Sequence, residues 1–559
     1  MLKNLRERPG ALGAAVLAIL AVLFLPQLPS VRLESGFSAG PQALVPPVVA
    51  ICAALSTRRL LFSLASAVIV GAVLRHGGQV WSAGFSSYVV DNASDSAHLY
   101  IIGFTLALLG MVQTAARSGG AEGIVAAVAR RAKTRRGAQV STWAMGLLVF
   151  FDDYANCMLV GPTMRPLTDK LRISREKLAF LIDATAAPVA GIVIISTWVG
   201  YETGLLDDVS KSLALSTNGY ALLLEGLPLR FYCILTLGFV LANAWSGRDF
   251  GPMLRAERRA LSKGKLVRDG ATLMGSASLV QAEEDTPHPS PRWSNAAAPV
   301  ALVVVATLIG LVVDGGGAGT LSAQPTRALS VSFWRETLGA SENNTQVLFI
   351  AAALGALCAI VLPALRKDLA LKKGVRAFAQ GAWAGVYAVF VLLLAWALAQ
   401  VCKDLGTGPV VIAALGKSLP HAAVPAVTFL AAAAVAFSTG TSWGTMAILI
   451  PTALPIAHEL GGMPLLILTV ASVLDGAIFG DHCSPISDTT LMSSIAAGSD
   501  HLDHVGTQLP YACVVMCIAL LGGYVPVALG APIWLSYAAC AALIVTVLFV
   551  FGRRAEVAD

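Results

Sequence analysis

Apolar runs long enough to span a bilayer alternate with short polar connections along most of the chain, and the pattern predicts about twelve crossings. They fall near residues 11–29, 43–57, 59–75, 99–116, 178–200, 219–245, 296–313, 346–363, 376–399, 465–483, 508–530 and 533–552. Two polar stretches interrupt this background. The first, Phe150-Phe-Asp-Asp-Tyr-Ala-Asn156, sets the adjacent carboxylates Asp152 and Asp153 among apolar residues. The second is Asp475-Gly-Ala-Ile-Phe-Gly-Asp-His-Cys-Ser-Pro-Ile-Ser-Asp488. A carboxylate at the bilayer centre costs roughly 2.5–3.5 kcal/mol on insertion scales, so a chain keeps one where it faces water, a cation or a proton path.

The basic residues orient the pattern. Lys and Arg gather at Arg58-Arg59, Arg130 to Arg136, Arg165 to Lys177, Arg248 to Arg268, Arg366 to Arg376 and Arg553-Arg554. The positive-inside rule makes these loops, and with them both termini, cytoplasmic in a multi-pass protein of the cell (inner) membrane. Segments near 76–98, 201–218 and 314–345 are poor in basic residues and belong outside, with Glu202 and Glu225 read as solvated rim residues near that face. Residues 138–163 then have basic loops on both sides and must enter and leave from the cytoplasm, as a re-entrant hairpin with Asp152-Asp153 at its tip. Residues 422–460 must begin and end outside, as a second hairpin tipped by Ser438-Thr-Gly-Thr-Ser442. Pro162-Thr-Met-Arg-Pro-Leu167 recurs as Pro451-Thr-Ala-Leu-Pro-Ile456, which sets Asp152-Asp153 against Thr441-Ser442. Matching units in opposite orientation are the signature of an inverted repeat.

The expected fold is therefore an all-α polytopic membrane protein: about twelve transmembrane helices plus two opposed re-entrant hairpins in an inverted repeat. Its organisation reads as N-terminal scaffold spans at 1–98, a first transport repeat at 99–245, a cytoplasmic linker at 246–295, scaffold spans at 296–375, a second transport repeat at 376–530, and a last span with tail at 531–559. Short connecting helices are expected near 121–132 and 409–419, each ahead of a hairpin. The linker ends in Glu283-Glu-Asp-Thr-Pro-His-Pro-Ser-Pro291 and reads as mobile. The alanine run Ala431 to Ala434, with Ala436, reads as a seam for close helix packing.

Composition narrows the function classes. Of 559 residues 56% are hydrophobic and only 13% charged, and mean hydropathy is +0.72; soluble domains carry about 25% charged residues. The net charge of +6 is spread over short loops, which argues against a nucleic-acid partner. The nine cysteines show no metal-ligand spacing. No nucleotide-binding motif appears, and His458-Glu459 lacks the second histidine of a zinc-protease motif, with Gly462 in its place. An enzyme is not expected, nor any cofactor; transport would run on ion gradients. Opposed hairpins suit alternating access better than a channel pore.

The candidate binding residues are hard oxygen donors of the kind Na⁺ prefers. Asp152, Asp153, Asn156, Thr439, Thr441 and Ser442 lie at the hairpin tips; Asp183, Thr185, Asp475, Asp481, Ser484 and Asp488 lie on or beside spans broken by proline or polar residues. Asp152, Asp153, Asp183 and Asp481 are the proposed Na⁺ ligands. Asp183 has no obvious cation beside it, and no Lys or Arg lies within the span of Asp475. His482 reads equally as a proton sensor or as a hydrogen-bonded structural histidine. A site that holds either Na⁺ or H⁺, but is never left as an empty unpaired charge, suffices for obligatory exchange.

Phe151-Asp-Asp-Tyr-Ala-Asn156, Pro162-Thr163, Asp183-Ala-Thr-Ala-Ala-Pro188 and Gly480-Asp-His-Cys-Ser-Pro-Ile-Ser-Asp-Thr-Thr490 resemble the signature segments of the NhaC-type Na⁺/H⁺ antiporter family, over roughly residues 99–530. The resemblance implies a secondary carrier exchanging Na⁺ for H⁺, with ion-site candidates at Asp152, Asp153, Asn156, Asp183, Asp481, Ser484 and Asp488. The alternative it carries is a Na⁺- or H⁺-coupled carrier of an organic carboxylate or amino acid, of the malate and lactate type. No arginine lies at either hairpin tip to clamp an organic acid, and the absence of an intramembrane cation favours bare-cation exchange. The expected partners are the lipid bilayer, Na⁺ and H⁺, with a small organic anion or amino acid under the alternative; a homodimer is compatible with the architecture.

Overall fold

The computed structural model describes residues 30–32, 38–57, 59–79, 84–120, 123, 134–150, 152–273, 292–330, 333, 337, 340–341, 343–407, 410, 420–485 and 487–555. The predicted first span at 11–29, the connecting helix at 409–419 except Val410, and nearly all of that at 121–132 lie outside the described residues.

The described residues are predominantly helical. In order come α1 (Val45–Thr57), α2 (Leu60–His76), α3 (Ser96–Arg117), α4 (Arg135–Leu148), α5 (Asp153–Lys170), α6 (Arg175–Ala190), α7 (Thr197–Ser212), α8 (Gly219–Gly226), α9 (Phe231–Ser246) and α10 (Gly251–Lys263). Then follow α11 (Ser294–Asp314), α12 (Asn344–Leu365), α13 (Leu371–Ala384), α14 (Val386–Leu405), α15 (Val424–Thr439), α16 (Ser442–Cys483), α17 (Asp488–Ala497), α18 (His501–Ile518) and α19 (Ile533–Val550). Among the described residues seven helices are long and apolar enough to cross a membrane, or eight if the pair Gly219–Leu229 and Phe231–Ser246, bent by 45°, is one span. Twelve crossings were expected. The difference arises because α1 and α2 form helices too short to count as full spans, because the expected span at 178–200 breaks after α6, and because the first lies outside the described residues.

A peripheral scaffold packs α3 along α12 and α13, with α11 behind α12 and α2 along α14. Inside it one motif occurs twice. α4 and α5 form a helical hairpin closed at residues 149–152; α6 follows, the helix breaks at 191–196, and α7 resumes. α15 and the first arm of α16 form a second hairpin. α16 then loses helical geometry at Gly461 and Gly462, continues as a second arm, breaks at 484–487 and resumes as α17. The offset that superimposes Pro162 on Pro451 also superimposes Asp153, the first residue of α5, on Ser442, the first of α16. Both helices that follow a break start behind a serine, Ser196 for α7 and Ser487 for α17, whose hydroxyl accepts first-turn amides that would otherwise be orphaned.

The two units exchange parts. α17, from the second, packs on α5 and α6 of the first, and α7, from the first, packs on α16 of the second. Cys157 Sγ meets Ser493 Oγ at 3.2 Å across one junction, and at the other Tyr201 stacks on Trp443 with ring centroids 4.4 Å apart.

Close approach in the second hairpin depends on small residues. Gly476 and Gly480 lie one turn apart on α16 and face Ala432 and Ala436 of α15, where the alanine run was read as a packing seam. A Cβ on Gly480 would stand 2.2 Å from the Ala433 carbonyl oxygen, and backbone cannot swing aside as a side chain can. The turn between these arms needs Gly440, whose φ of +71° is the left-handed region that side chains with a Cβ avoid. Gly480→Ala is expected to lower stability by about 1–3 kcal/mol, the usual cost of overpacking; an unchanged thermal midpoint in detergent would mean the two helices do not touch as described.

The expectation of a mobile 246–295 linker is corrected for its first half. α10 docks against α6 and α18 by charge pairing: Glu257 takes Arg135 at 2.7 Å and the Ser174 amide at 2.7 Å, while Arg259 holds Glu176 at 2.8 Å. Lys177, fully buried, binds Asp249 at 2.6 Å and also Asn243. Burial pushes the Asp249 carboxyl up, but Lys177 with the hydrogen bonds of Asn243, Lys177 and Tyr511 outweighs it and holds the group below the usual carboxylate range. Arg248–Asp249 pairs antiparallel with Arg553–Arg554, so the segment after α19 lies beside the start of the linker. Residues 274–291, with the acidic and proline-rich part, lie outside the described residues.

Candidate functional site

The breaks in the two units leave polar side chains and free helix ends inside the bundle, and the candidate residues collect there in three linked groups. Asp183 is the centre of the first. It projects from α6, is buried to 1% exposure, and accepts hydrogen bonds from Gln508 Nε2 (2.6 Å), Thr490 Oγ1 (3.0 Å) and Ser493 Oγ (3.3 Å). His482 Nε2 and His504 Nε2 each stand 3.8 Å from its Oδ2. The Gln508 amide also donates to the His482 carbonyl oxygen at 2.6 Å, which fixes its orientation: the Oε1 side must face His504 Nε2 at 2.9 Å. An amide oxygen only accepts, so His504 Nε2 carries a hydrogen. The first unit supplies the carboxylate and the second supplies its hydroxyls, amide and imidazoles.

The tip of the second hairpin forms the next group. Ser442 Oγ and Thr489 Oγ1 both donate to Asp481 Oδ2 at 3.4 Å, and Ser484 Oγ donates to the Phe437 carbonyl oxygen at 2.7 Å. Thr439 Oγ1 bonds the carbonyl oxygen of Val435 one turn back, and Thr441 caps α16. These two threonines spend their hydroxyls on backbone. The side chain of Asp488 lies outside the described residues.

The first hairpin tip is the third group. Asp152 and Asp153 are buried, and they sit at the N-terminus of α5, where the helix dipole favours negative charge. Asp152 Oδ2 takes the Thr197 hydroxyl at 3.0 Å, so the tip of this hairpin touches the break of its own unit, as Ser442 does in the other. Asn156 ties the tip to α6: its Nδ2 donates to the carbonyl oxygens of Gly146 (2.8 Å) and Thr185 (2.9 Å), while its buried Oδ1 has no hydrogen-bond partner among the described residues. Thr185 bonds back to Leu181 at 2.8 Å.

Asp475 stands apart from these and corrects an expectation. No Lys or Arg lies in its own span, but Arg230, at the bend between α8 and α9, reaches it with Nε at 2.8 Å. Asp475 also accepts the Tyr232 amide (2.6 Å) and the Tyr524 hydroxyl (2.7 Å). The bend frees the first amides of α9, and Asp475 caps that of Tyr232 from another helix. Glu202, expected on a solvated rim, is 1% exposed and lies 3.8 Å from Arg230 Nη1. The view that the bundle holds no buried cation therefore falls: Arg230 and Lys177 are both enclosed. Tyr232 joins this cluster to the first, its hydroxyl meeting His482 Nδ1 at 2.9 Å.

Sequence reading missed Gln508, His504, Ser493, Thr197 and Arg230. The first three carried a signal: Thr490 and Ser493 are three residues apart, His504 and Gln508 four, so each pair shares a helix face in an apolar run. Arg230 carried none, because its partner is 245 residues away. Among the described residues no three His, Cys, Asp or Glu side chains converge as a metal-holding group, so the four carboxylates proposed as Na⁺ ligands are distributed among hydroxyls and amides. A cavity of about 710 Å³ between α8 and α16, lined by Leu224, Glu225, His421 and Leu468 among others, includes none of the candidate residues.

A helical bundle with paired hairpins, broken helices and buried carboxylates where the breaks meet is the build of a multi-pass secondary transporter. The YdaH transporter of Alcanivorax borkumensis shares the fold, at a TM-score of 0.52 and 14% identity over 94% of this chain and 99% of that one. The chain belongs to the Na⁺/H⁺ antiporter family, whose model matches residues 189–525. It is 30% identical to an uncharacterized protein of Haemophilus influenzae over 93% of this chain and 96% of that protein. It is also 32% identical to the malate-2H⁺/Na⁺-lactate antiporter of Bacillus subtilis, over 29% of this chain and 33% of that protein.

Proposed function

We propose that the protein exchanges Na⁺ for H⁺ across the cell membrane by alternating access, with Asp183 as the central ligand. The observation that carries this reading is a fully enclosed carboxylate of the first unit ringed by oxygen and nitrogen groups of the second, so that any relative shift of the units changes its ligands. In this reading Asp152, Asp153 and Asp481 complete the path, Asn156 Oδ1 offers a ligand that no donor occupies, and the two hairpins are re-entrant from opposite faces. Arg230 does not weaken the bare-cation reading, since Asp475 already answers its charge. Na⁺ and H⁺ are substrates, and no cofactor is invoked.

A second reading is kept because of the malate/lactate relative: Na⁺- or H⁺-coupled movement of an organic carboxylate or amino acid. Proteoliposomes with an internal pH dye separate the two. Proton movement driven by an imposed Na⁺ gradient alone is the expected result; silence until malate, lactate or an amino acid is added would replace it with the second reading.

A further inference from the structure

The Arg230 cluster holds more negative than positive charge. Three ionisable side chains meet there, each no more than 1% exposed: Arg230, Asp475 and Glu202. With both acids ionised the cluster carries one uncompensated negative charge in a site without water access, and an unpaired buried charge is among the costliest arrangements a fold can hold. The two acids are not equivalent. Asp475 receives the Arg230 Nε, the Tyr232 amide and the Tyr524 hydroxyl, all of which stabilise a carboxylate. Among the described residues Glu202 receives nothing: both of its oxygens are buried without a hydrogen-bond partner, and so is Arg230 Nη1, which faces it at 3.8 Å. A neutral acid in that position costs far less than a bare carboxylate.

Among the described residues no other charged side chain pairs with this cluster. Cys233 Sγ lies 3.8 Å from Arg230 Nη2 and Tyr524 rests against Asp475. On the helices packed against α7, His98 of α3 is held by Asp208 at 3.0 Å, and Asp404 of α14 by the Tyr88 hydroxyl at 2.9 Å.

We infer that Glu202 carries a proton, and that the Arg230–Asp475–Glu202 cluster is the proton-binding side of the exchange, separate from the cation side at Asp183. The second half of this statement rests on the Na⁺/H⁺ reading above. The two sides are linked through Tyr232, whose amide binds Asp475 and whose hydroxyl meets His482 beside Asp183. A shift of the second unit that moved Asp475 from Arg230 would leave the guanidinium to Glu202, which would then release its proton.

Infrared spectroscopy of the full-length protein in lipid reads the proton without requiring transport, through the C=O stretch of a neutral carboxylic acid. At neutral pH the wild type should show this band and Glu202→Gln should lack it. Asp475→Asn should lose it too although Glu202 is intact, because Arg230 then has a single acid to neutralise. A band unchanged in Glu202→Gln, retained in Asp475→Asn, or missing from the wild type would overturn the assignment. In proteoliposomes, Glu202→Gln should lose Na⁺-driven proton flux while keeping exchange of labelled for unlabelled Na⁺; proton flux at the wild-type rate would overturn the exchange role. If the band behaves as stated but the wild type moves no protons with Na⁺, the Na⁺/H⁺ reading fails and the neutral Glu202 stands.

Discussion

Asp183→Asn is expected to reduce Na⁺-driven proton flux to the leak of protein-free liposomes while the purified protein remains folded. Folding should survive because asparagine fits the existing hydrogen bonds. Its oxygen can take the Oδ2 position, facing Gln508 Nε2 and Thr490 Oγ1, and its NH₂ can face the Ser493 hydroxyl, which accepts as readily as it donates. Transport should not survive, because the amide has no charge to offer a cation. Size-exclusion chromatography and thermal unfolding check the first half, the pH-dye assay the second. Wild-type flux would remove Asp183 from the path.

Arg230→Leu is expected to cost about 3–5 kcal/mol, the range found when one partner of a buried ion pair is removed and the other is left behind. Here two carboxyls would be left, with the Tyr232 amide and Tyr524 hydroxyl as the remaining partners of Asp475. The loss should appear as a lower thermal midpoint and poor recovery of monodisperse protein. Arg230→Lys should restore only part of it, since an ammonium cannot address Asp475 through Nε and Glu202 through Nη1 at once. Adding Asp475→Leu to Arg230→Leu should recover stability relative to the single variant; no recovery would show that Arg230 acts through packing rather than charge.

Local features were legible in the sequence and distant pairings were not. The Pro162/Pro451 echo located the second arm of each hairpin, because proline spacing is a property of the local chain. Asp183 and Asp481 stood out because carboxylates are rare in apolar runs. Fewer spans than twelve are found among the described residues, in part because hydropathy does not register the break at 191–196. Glu202 looked like a rim residue from its place near a span end, and only the bend at Arg230 explains its enclosure. The linker looked disordered from composition, but the ion pairs that dock α10 draw on partners far along the chain, such as Arg135 and Glu176.

The exchange of helices between the two units also sets a timetable. Asp183 obtains Thr490 from 307 residues further along the chain and Gln508 from 325. At a synthesis rate of roughly 5–20 residues per second, the carboxylate waits on the order of 15–60 s for these partners after it leaves the ribosome. For that interval the first half is an unfinished object, with a polar residue in apolar surroundings and the seat for α17 empty. Its early custody falls to the insertion machinery, and a nascent chain that stalls in the linker presents that empty seat to quality control.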